Sequence, residues 1–267
     1  MKKYTHKLII IFLFLLTSSY GTALASINLE SNVTTLNVGE KAKLSVMATY
    51  SDGSSKELNE NIEFIITPTD SVEVNGTVLT AKKDGNVTVQ AKAGSILSSI
   101  LTLNITWVVN GHTLPSEPDK TLNDSTLLGI DINNNGVRDD VERWIYEEYK
   151  DKHPIHIDIG MQAARGYKLI LDTPTERARE IMEFVEAPLY CELYYRSCVD
   201  DVKEKRIIHE DEEVNSKYFR EVKYFNTIQR MEKYLEYDMQ FSGDSYTLIR
   251  CSQRKKLCDF NTSQYED

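Results

Sequence analysis

"LNVGEKAKLSVMATYSDGSSKEL", residues 36 to 58, decides the first half of the chain. Leu44, Val46, Ala48 and Tyr50 stand two apart with mostly polar residues between them, the pattern of a strand with one buried face. The "SDG" at 51 to 53 ends that strand in a turn. The same period recurs at Ile62, Phe64 and Ile66, at Val87, Val89 and Ala91, and at Leu101, Leu103 and Ile105. "VNGT" at 74 to 77 and "KDGN" at 83 to 86 supply further turns. Short strands so spaced predict an all-β sandwich over residues 26 to 107.

Three stretches then carry a family resemblance: the one quoted above, "VEVNGTVLTAKKDGNVTVQAKAG" at 72 to 94, and "SSILTLNIT" at 98 to 106. A Gly before the second strand, the "YSDG" turn and the "G-x-V-T-V-x-A" strand make this region resemble the bacterial immunoglobulin-like group 2 domain. The resemblance implies an immunoglobulin-like sandwich serving as a spacer or binding module in bacterial surface proteins. It carries no catalytic residues.

Upstream of these strands, Lys2, Lys3 and Lys7 precede an unbroken apolar run from Leu8 to Leu16, and Ala23-Leu24-Ala25 follows. This is the pattern of a secretory signal peptide over residues 1 to 25. The run is far shorter than the roughly 20 residues a bilayer-spanning helix needs. The expectation is an exported protein: periplasmic, secreted or associated with the cell surface, with no transmembrane segment after processing. The mature chain would hold 28 basic and 41 acidic residues, a net charge near −13. Such a surface repels nucleic acid and attracts cations.

Residues 108 to 130, "VVNGHTLPSEPDKTLNDSTLLGI", hold Pro115, Pro118 and several turn formers, and read as an extended linker that partly packs on its neighbours. Next comes "DINNNGVRDDVE", residues 131 to 142. A calcium ion takes six to eight oxygens, and a twelve-residue EF-hand loop supplies them from positions 1, 3, 5, 7, 9 and 12 with Gly at 6. Those positions are Asp131, Asn133, Asn135, the carbonyl of Val137, Asp139 and Glu142, with Gly136 at the sharp turn. The alternative is a plain Asn-rich turn that caps a helix. Arg138 at position 8 departs from paired EF-hands, where that residue is apolar, and no second loop is present. The loop therefore resembles the isolated sites of dockerin or thrombospondin-type repeats. With three acidic ligands, weak structural binding in the roughly 10⁻⁴ to 10⁻³ M range is expected.

After the loop the periodicity becomes helical, predicting a mainly α-helical domain over residues 143 to 267. Val141, Trp144, Ile145 and Tyr149 share the face of a first helix, and a second is expected at 157 to 171. Thr173 as N-cap, Pro174 and Glu176 predict a capping box for a third, with Ile181, Val185, Leu189 and Leu193 inward. A long helix near 216 to 240 would present Val222, Phe225, Ile228, Met231, Leu235 and Met239. Twelve of the fifteen tyrosines lie in this half, suited to a shallow core or to a contact surface. Cys191, Cys198, Cys251 and Cys258 form an even set, so two disulfides are expected in an oxidising compartment. Cysteines seven apart on one helix lie too far apart to bond, which leaves a crossed pattern, 191 with 258 and 198 with 251, or two local loops. "NNNGVRDDVERWIYEEY", "FNTIQRMEKYLEYDMQFSG" and the late "CDF" make residues 108 to 260 resemble uncharacterised exported proteins of Gram-negative bacteria, which implies no activity.

Catalytic signatures are missing. There is no G-x-S-x-G elbow, no phosphate-cradling glycine loop and no H-E-x-x-H. His153 and His156 in "HPIH" read as an exposed turn, and "EDEE" after His209 as a solvated acidic connection. Two functions remain. One is a non-catalytic surface or periplasmic binding or adhesion-type module with a structural calcium ion and a protein or carbohydrate partner. The other is a secreted hydrolase whose helical domain is catalytic and carries the sandwich as an accessory.

Overall fold

The computed structural model describes residues 22–198, 207–209, 212–245 and 247–265. Its first half is built of strands. They are β1 (Leu24–Ser31), β2 (Thr35–Asn37), β3 (Lys41–Tyr50), β4 (Ser55–Leu58), β5 (Glu63–Thr67), β6 (Val72–Asn75), β7 (Val78–Ala81), β8 (Gly85–Ala93), β9 (Ile96–Leu97) and β10 (Leu101–Thr106). One sheet runs β1-β3-β7-β6, with β4 also paired to β3; the other runs β2-β10-β8-β5, with β9 paired to β8. The pairings are antiparallel except for that of β2 with β10.

Alternation decides the core. Leu44, Val46 and Ala48 of β3 and Val87, Val89 and Ala91 of β8 are fully buried. Leu29, Leu79, Leu103 and Ile105 join them, so side chains from both sheets form one core. Residues 1 to 21 of the expected signal peptide lie outside the described residues. The expected cleavage after Ala25 falls inside β1, at the point where the register shifts; the regular ladder begins with Ser26 opposite Thr49.

The linker is more structured than its composition suggests. It begins with a two-stranded hairpin, β11 (Val108–Val109) and β12 (His112–Thr113), and continues into α1 (Lys120–Asp124). Asp119 caps α1 by accepting the Leu122 N–H at 2.9 Å. The hairpin lies against the next helix, α2 (Asp139–Tyr149). Asn110 donates to the Lys150 carbonyl at 3.1 Å, and the His112 ring stacks on Tyr146 with centroids 4.4 Å apart.

Arg143 joins the two halves. It is buried, and its guanidinium grips Asp84, in the turn before β8, with two bonds of 2.8 and 2.9 Å. The same group donates to Glu117 at 2.5 Å and to the Pro115 carbonyl at 2.7 Å, and it covers the Trp107 ring at 4.5 Å. A forked, planar cation can satisfy all these acceptors at once, which Lys could not.

The helical half continues with α3 (Ile155–Asp172), α4 (Ala178–Leu193), α5 (Ile228–Met239) and α6 (Cys251–Arg254). α3 is central. Met161, Ala164, Tyr167 and Leu171 face a core shared with α2, Phe219, Phe225 and Tyr237, while Ile155 and Ile159 face a second core with Tyr194, Tyr195 and both disulfides. The bonds are Cys191–Cys258 and Cys198–Cys251, the crossed pattern. Most described tyrosines here serve the cores, while Tyr218 is exposed. Among the described residues no helix is long and apolar enough to cross a membrane.

Several local expectations fail. The capping box does not form: Pro174 has φ −54° and ψ 138°, an extended conformation, and a 3₁₀ turn over Thr175–Arg177 precedes α4. Within α4 the expected Ile181 and Val185 do pack, half-buried, against the first core, but Leu189 and Leu193 are only half-buried and join neither core, and the buried set is Ala178, Ala187, Pro188, Tyr190, Cys191 and Glu192. The long helix near 216 to 240 is two pieces, a π-helical Phe219–Tyr224 and α5. Thr227 accepts the Arg230 N–H at 3.3 Å and so starts α5 afresh, which breaks the run. Ile228, Leu235 and Met239 consequently face solvent. His156 is buried in the first turn of α3 and is no exposed turn. Of "EDEE", residues 210 and 211 lie outside the described residues.

Candidate metal centre

Residues 131 to 142 join α1 to α2, and the helix begins inside the loop, so Asp139 and Glu142 belong to the first turn of α2. Acidic residues in a first turn suit the partial positive charge of a helix N-terminus. Asp131 organises the turn, accepting the Asn135 N–H at 3.1 Å and the Gly136 N–H at 3.0 Å. Gly136 has φ +85°, a conformation that side chains resist. Asn133 and Asn135 aim inward, donating their side-chain N–H groups to Glu142 Oε2 at 3.0 and 2.7 Å. Asp139 accepts the Ile132 N–H at 3.1 Å, and Val137 is fully buried.

Glu142 is the hub. Its side chain is fully buried, and Oε1 meets His112 Nε2 at 2.8 Å. Of the six expected ligands, Asn133, Asn135 and Glu142 are in direct contact, while Asp131 and Asp139 bind loop backbone. Among the described residues no group of three or more His, Cys, Asp or Glu is placed to hold a metal ion.

The electrostatics are those of crowded acids. Burial raises the Asp139 pKa to about 6, and the charges of Asp131, Glu142 and Asp140 push in the same direction against the Ile132 hydrogen bond. The Lys168 ammonium lies 3.4 Å from Asp131 and offsets part of this charge. A raised folded-state pKa means that the native chain takes up a proton near pH 6 which the unfolded chain binds only near 3.8. In metal-free buffer this group therefore adds stability as pH falls from about 6 toward 4 and withdraws it as pH rises through 6. Asp139→Asn should be more stable than wild type at pH 7.5 in chelator, with about half of the advantage left at pH 5 and none near pH 3. Thermal unfolding of both proteins across that range measures it; a constant difference would deny the charge crowding.

Three residues here escaped the sequence reading. His112 comes from the hairpin, thirty residues before Glu142 in sequence, and nothing local announces it. Lys168 arrives from α3. Arg138 left a signal, as a charge where an apolar residue was expected: it is buried and donates to the carbonyls of Lys223 and Tyr224 at 3.2 and 3.1 Å, with Asp140 at 2.5 Å. Gly129, at φ +68°, makes room for it, since a Cβ there would stand 2.2 Å from Arg138 Cδ. The loop is thus tied to the Phe219–Tyr224 segment.

No family model matches this chain, and no curated protein matches it. Among solved structures, a ZirS C-terminal domain aligns over 39% of this chain and 84% of its own length, at 14% identity and a TM-score of 0.25. A polysaccharide lyase aligns over 84% of this chain at 12% identity and a TM-score of 0.21, and the match spans 35% of the lyase. Likenesses this low support no inference about fold or function.

Proposed function

We propose that this chain is an exported, non-catalytic binding module, in which a bacterial immunoglobulin-like sandwich is joined to a disulfide-linked helical domain through a structural calcium loop. Calcium is the cation that suits the donors, because Asp131, Asn133, Asn135, Val137, Asp139 and Glu142 offer hard oxygens and neither sulfur nor imidazole. The observation that carries the reading is Glu142: a carboxylate buried at the twelfth position, turned toward Asn133 and Asn135. When bound, the ion would neutralise the crowded acids at the start of α2. Its role is to stiffen the join, and the partner, a protein or carbohydrate surface, binds elsewhere. The two disulfides agree with an oxidising compartment outside the cytoplasm.

Calcium titration with thermal unfolding tests this. At ten to a hundred times a millimolar-range Kd, calcium should stabilise the mature protein by about 1.4 to 2.7 kcal/mol. That raises Tm by roughly 3 to 10 °C for a chain of this size. Magnesium at the same concentration should do much less, since it resists dehydration and demands octahedral geometry. Identical unfolding curves in calcium and in chelator would end the calcium reading.

A further inference from the structure

Both tryptophans of this chain, Trp107 and Trp144, line one groove of about 400 Å³. It lies where the linker, α2 and the segment after Phe219 meet, and Glu117, Glu147, Val222 and Lys223 share its lining. A volume of that order falls within the roughly 300 to 1,000 Å³ of small-molecule sites. Each ring rests on the protein: the Arg143 guanidinium covers Trp107 at 4.5 Å, and Phe219 stacks on Trp144 with centroids 5.2 Å apart. Both nevertheless stay partly exposed, and Val222, 52% exposed, adds apolar surface beside them. Trp is among the residues most enriched where proteins bind their partners, and here the whole complement stands in one place.

The polar groups of the groove are half used. Glu117 gives Oε2 to Arg143 and Glu147 gives Oε1 to Lys150, while the second oxygen of each accepts no hydrogen bond from the described residues. Both side chains are open to solvent, Glu117 at 65% and Glu147 at 42%. The Lys223 ammonium lies 5.6 Å from the centre of the Trp144 ring and 5.4 Å from that of Tyr218, and it pairs with no carboxylate among the described residues.

Free acceptors and a free donor beside indole rings select the ligand. A cation would suit the carboxylates but meet the ammonium, and an anion would do the reverse. A hydroxyl both donates and accepts. A pyranose carries several hydroxyls around a ring whose C–H face packs on an aromatic side chain. We propose that this groove binds a sugar chain, whose hydroxyls donate to Glu117 and Glu147 and accept from Lys223 while its C–H groups pack on Trp107 and Trp144. Such a site rests on the binding-module reading above and makes the partner a carbohydrate.

With both tryptophans in the groove, their emission reports on it directly. Cellotetraose, chitotetraose, maltotetraose and tetragalacturonate are to be titrated into the full mature chain, with excitation where tryptophan alone absorbs. At least one should shift or quench the emission saturably. Lys223→Met keeps the apolar stem and removes the donor, and Glu147→Gln puts an amide where the free acceptor stood. Each should weaken that sugar about tenfold without moving thermal unfolding. No response to any of these sugars, or a response that neither substitution weakens, overturns the sugar site. Neither outcome touches the calcium loop, which has its own titration. Shortened oligosaccharides after incubation would support the groove while ending the non-catalytic reading.

Discussion

Glu142→Ala should weaken calcium binding by roughly 100-fold or more, because it removes the ligand expected to bind with both oxygens. The contacts around Glu142 explain why one residue carries so much. Its Oε2 collects Asn133 and Asn135, and its Oε1 holds His112 of the hairpin, so the change also releases three side chains that define the loop. Ile132→Ser is the matching control, since Ile132 sits in the same loop, is 65% exposed and is no candidate ligand. Calorimetric titration of wild type and both variants gives the comparison. If Glu142→Ala retained the calcium affinity of wild type, the twelve-residue assignment would fail even if the protein bound calcium somewhere else.

Loss of both disulfides should cost about 7 kcal/mol of stability, and loss of either alone about 3 kcal/mol. The asymmetry comes from nesting. Cys198–Cys251 closes a separation of 53 residues inside the 67 spanned by Cys191–Cys258. While one bond stands, the other closes only the short ring formed by 191 to 198 and 251 to 258, so its removal frees little chain. With neither present, the whole segment between α4 and the C-terminus gains conformational freedom. The second core would also lose its anchor, since all four cysteines pack with Ile155, Ile159, Tyr194 and Tyr195. Denaturant unfolding of the two paired Cys→Ala variants and the fourfold variant measures this. Single-pair losses as large as the fourfold loss would show that one bond alone sets the stability.

How much was readable depended on whether the cause was local. The strands were, because burial of one sheet face imposes a period of two, and Leu44, Val46, Ala48, Val87, Val89 and Ala91 obey it without exception. α2 and α3 were readable for the same reason at the helical period. The failures lie where a local pattern has two outcomes. Thr173-Pro174 can open a helix or an extended step, and this chain takes the step. The apolar repeat through 216 to 240 hid a new N-cap at Thr227. Cysteine spacing left two pairings, which only the approach of the C-terminal turn to α4 decides.

The candidate loop follows the same division. Its six positions are a one-dimensional spacing and could be read directly. Its surroundings could not, because His112, Lys168 and the acceptors of Arg138 come from thirty to nearly ninety residues away. Buried arginines are the least legible feature of this chain. Arg230 is fully buried and donates to the carbonyls of Asn123, Thr126 and Leu127, yet nothing in "NTIQRMEKY" separates it from a surface residue.

The position of Arg143 governs how this protein can be dissected. A fragment beginning at residue 118 would retain α2 but discard Asp84, Trp107, Pro115 and Glu117, stranding a guanidinium whose every acceptor and stacking partner belonged to the missing piece. The guanidinium would then be left to water, and the charge-assisted bonds that seat α2 against the first half would be lost. An excised helical segment would thus be a poorer specimen than its own residues warrant, and expression boundaries chosen from composition would misjudge what the segment can do.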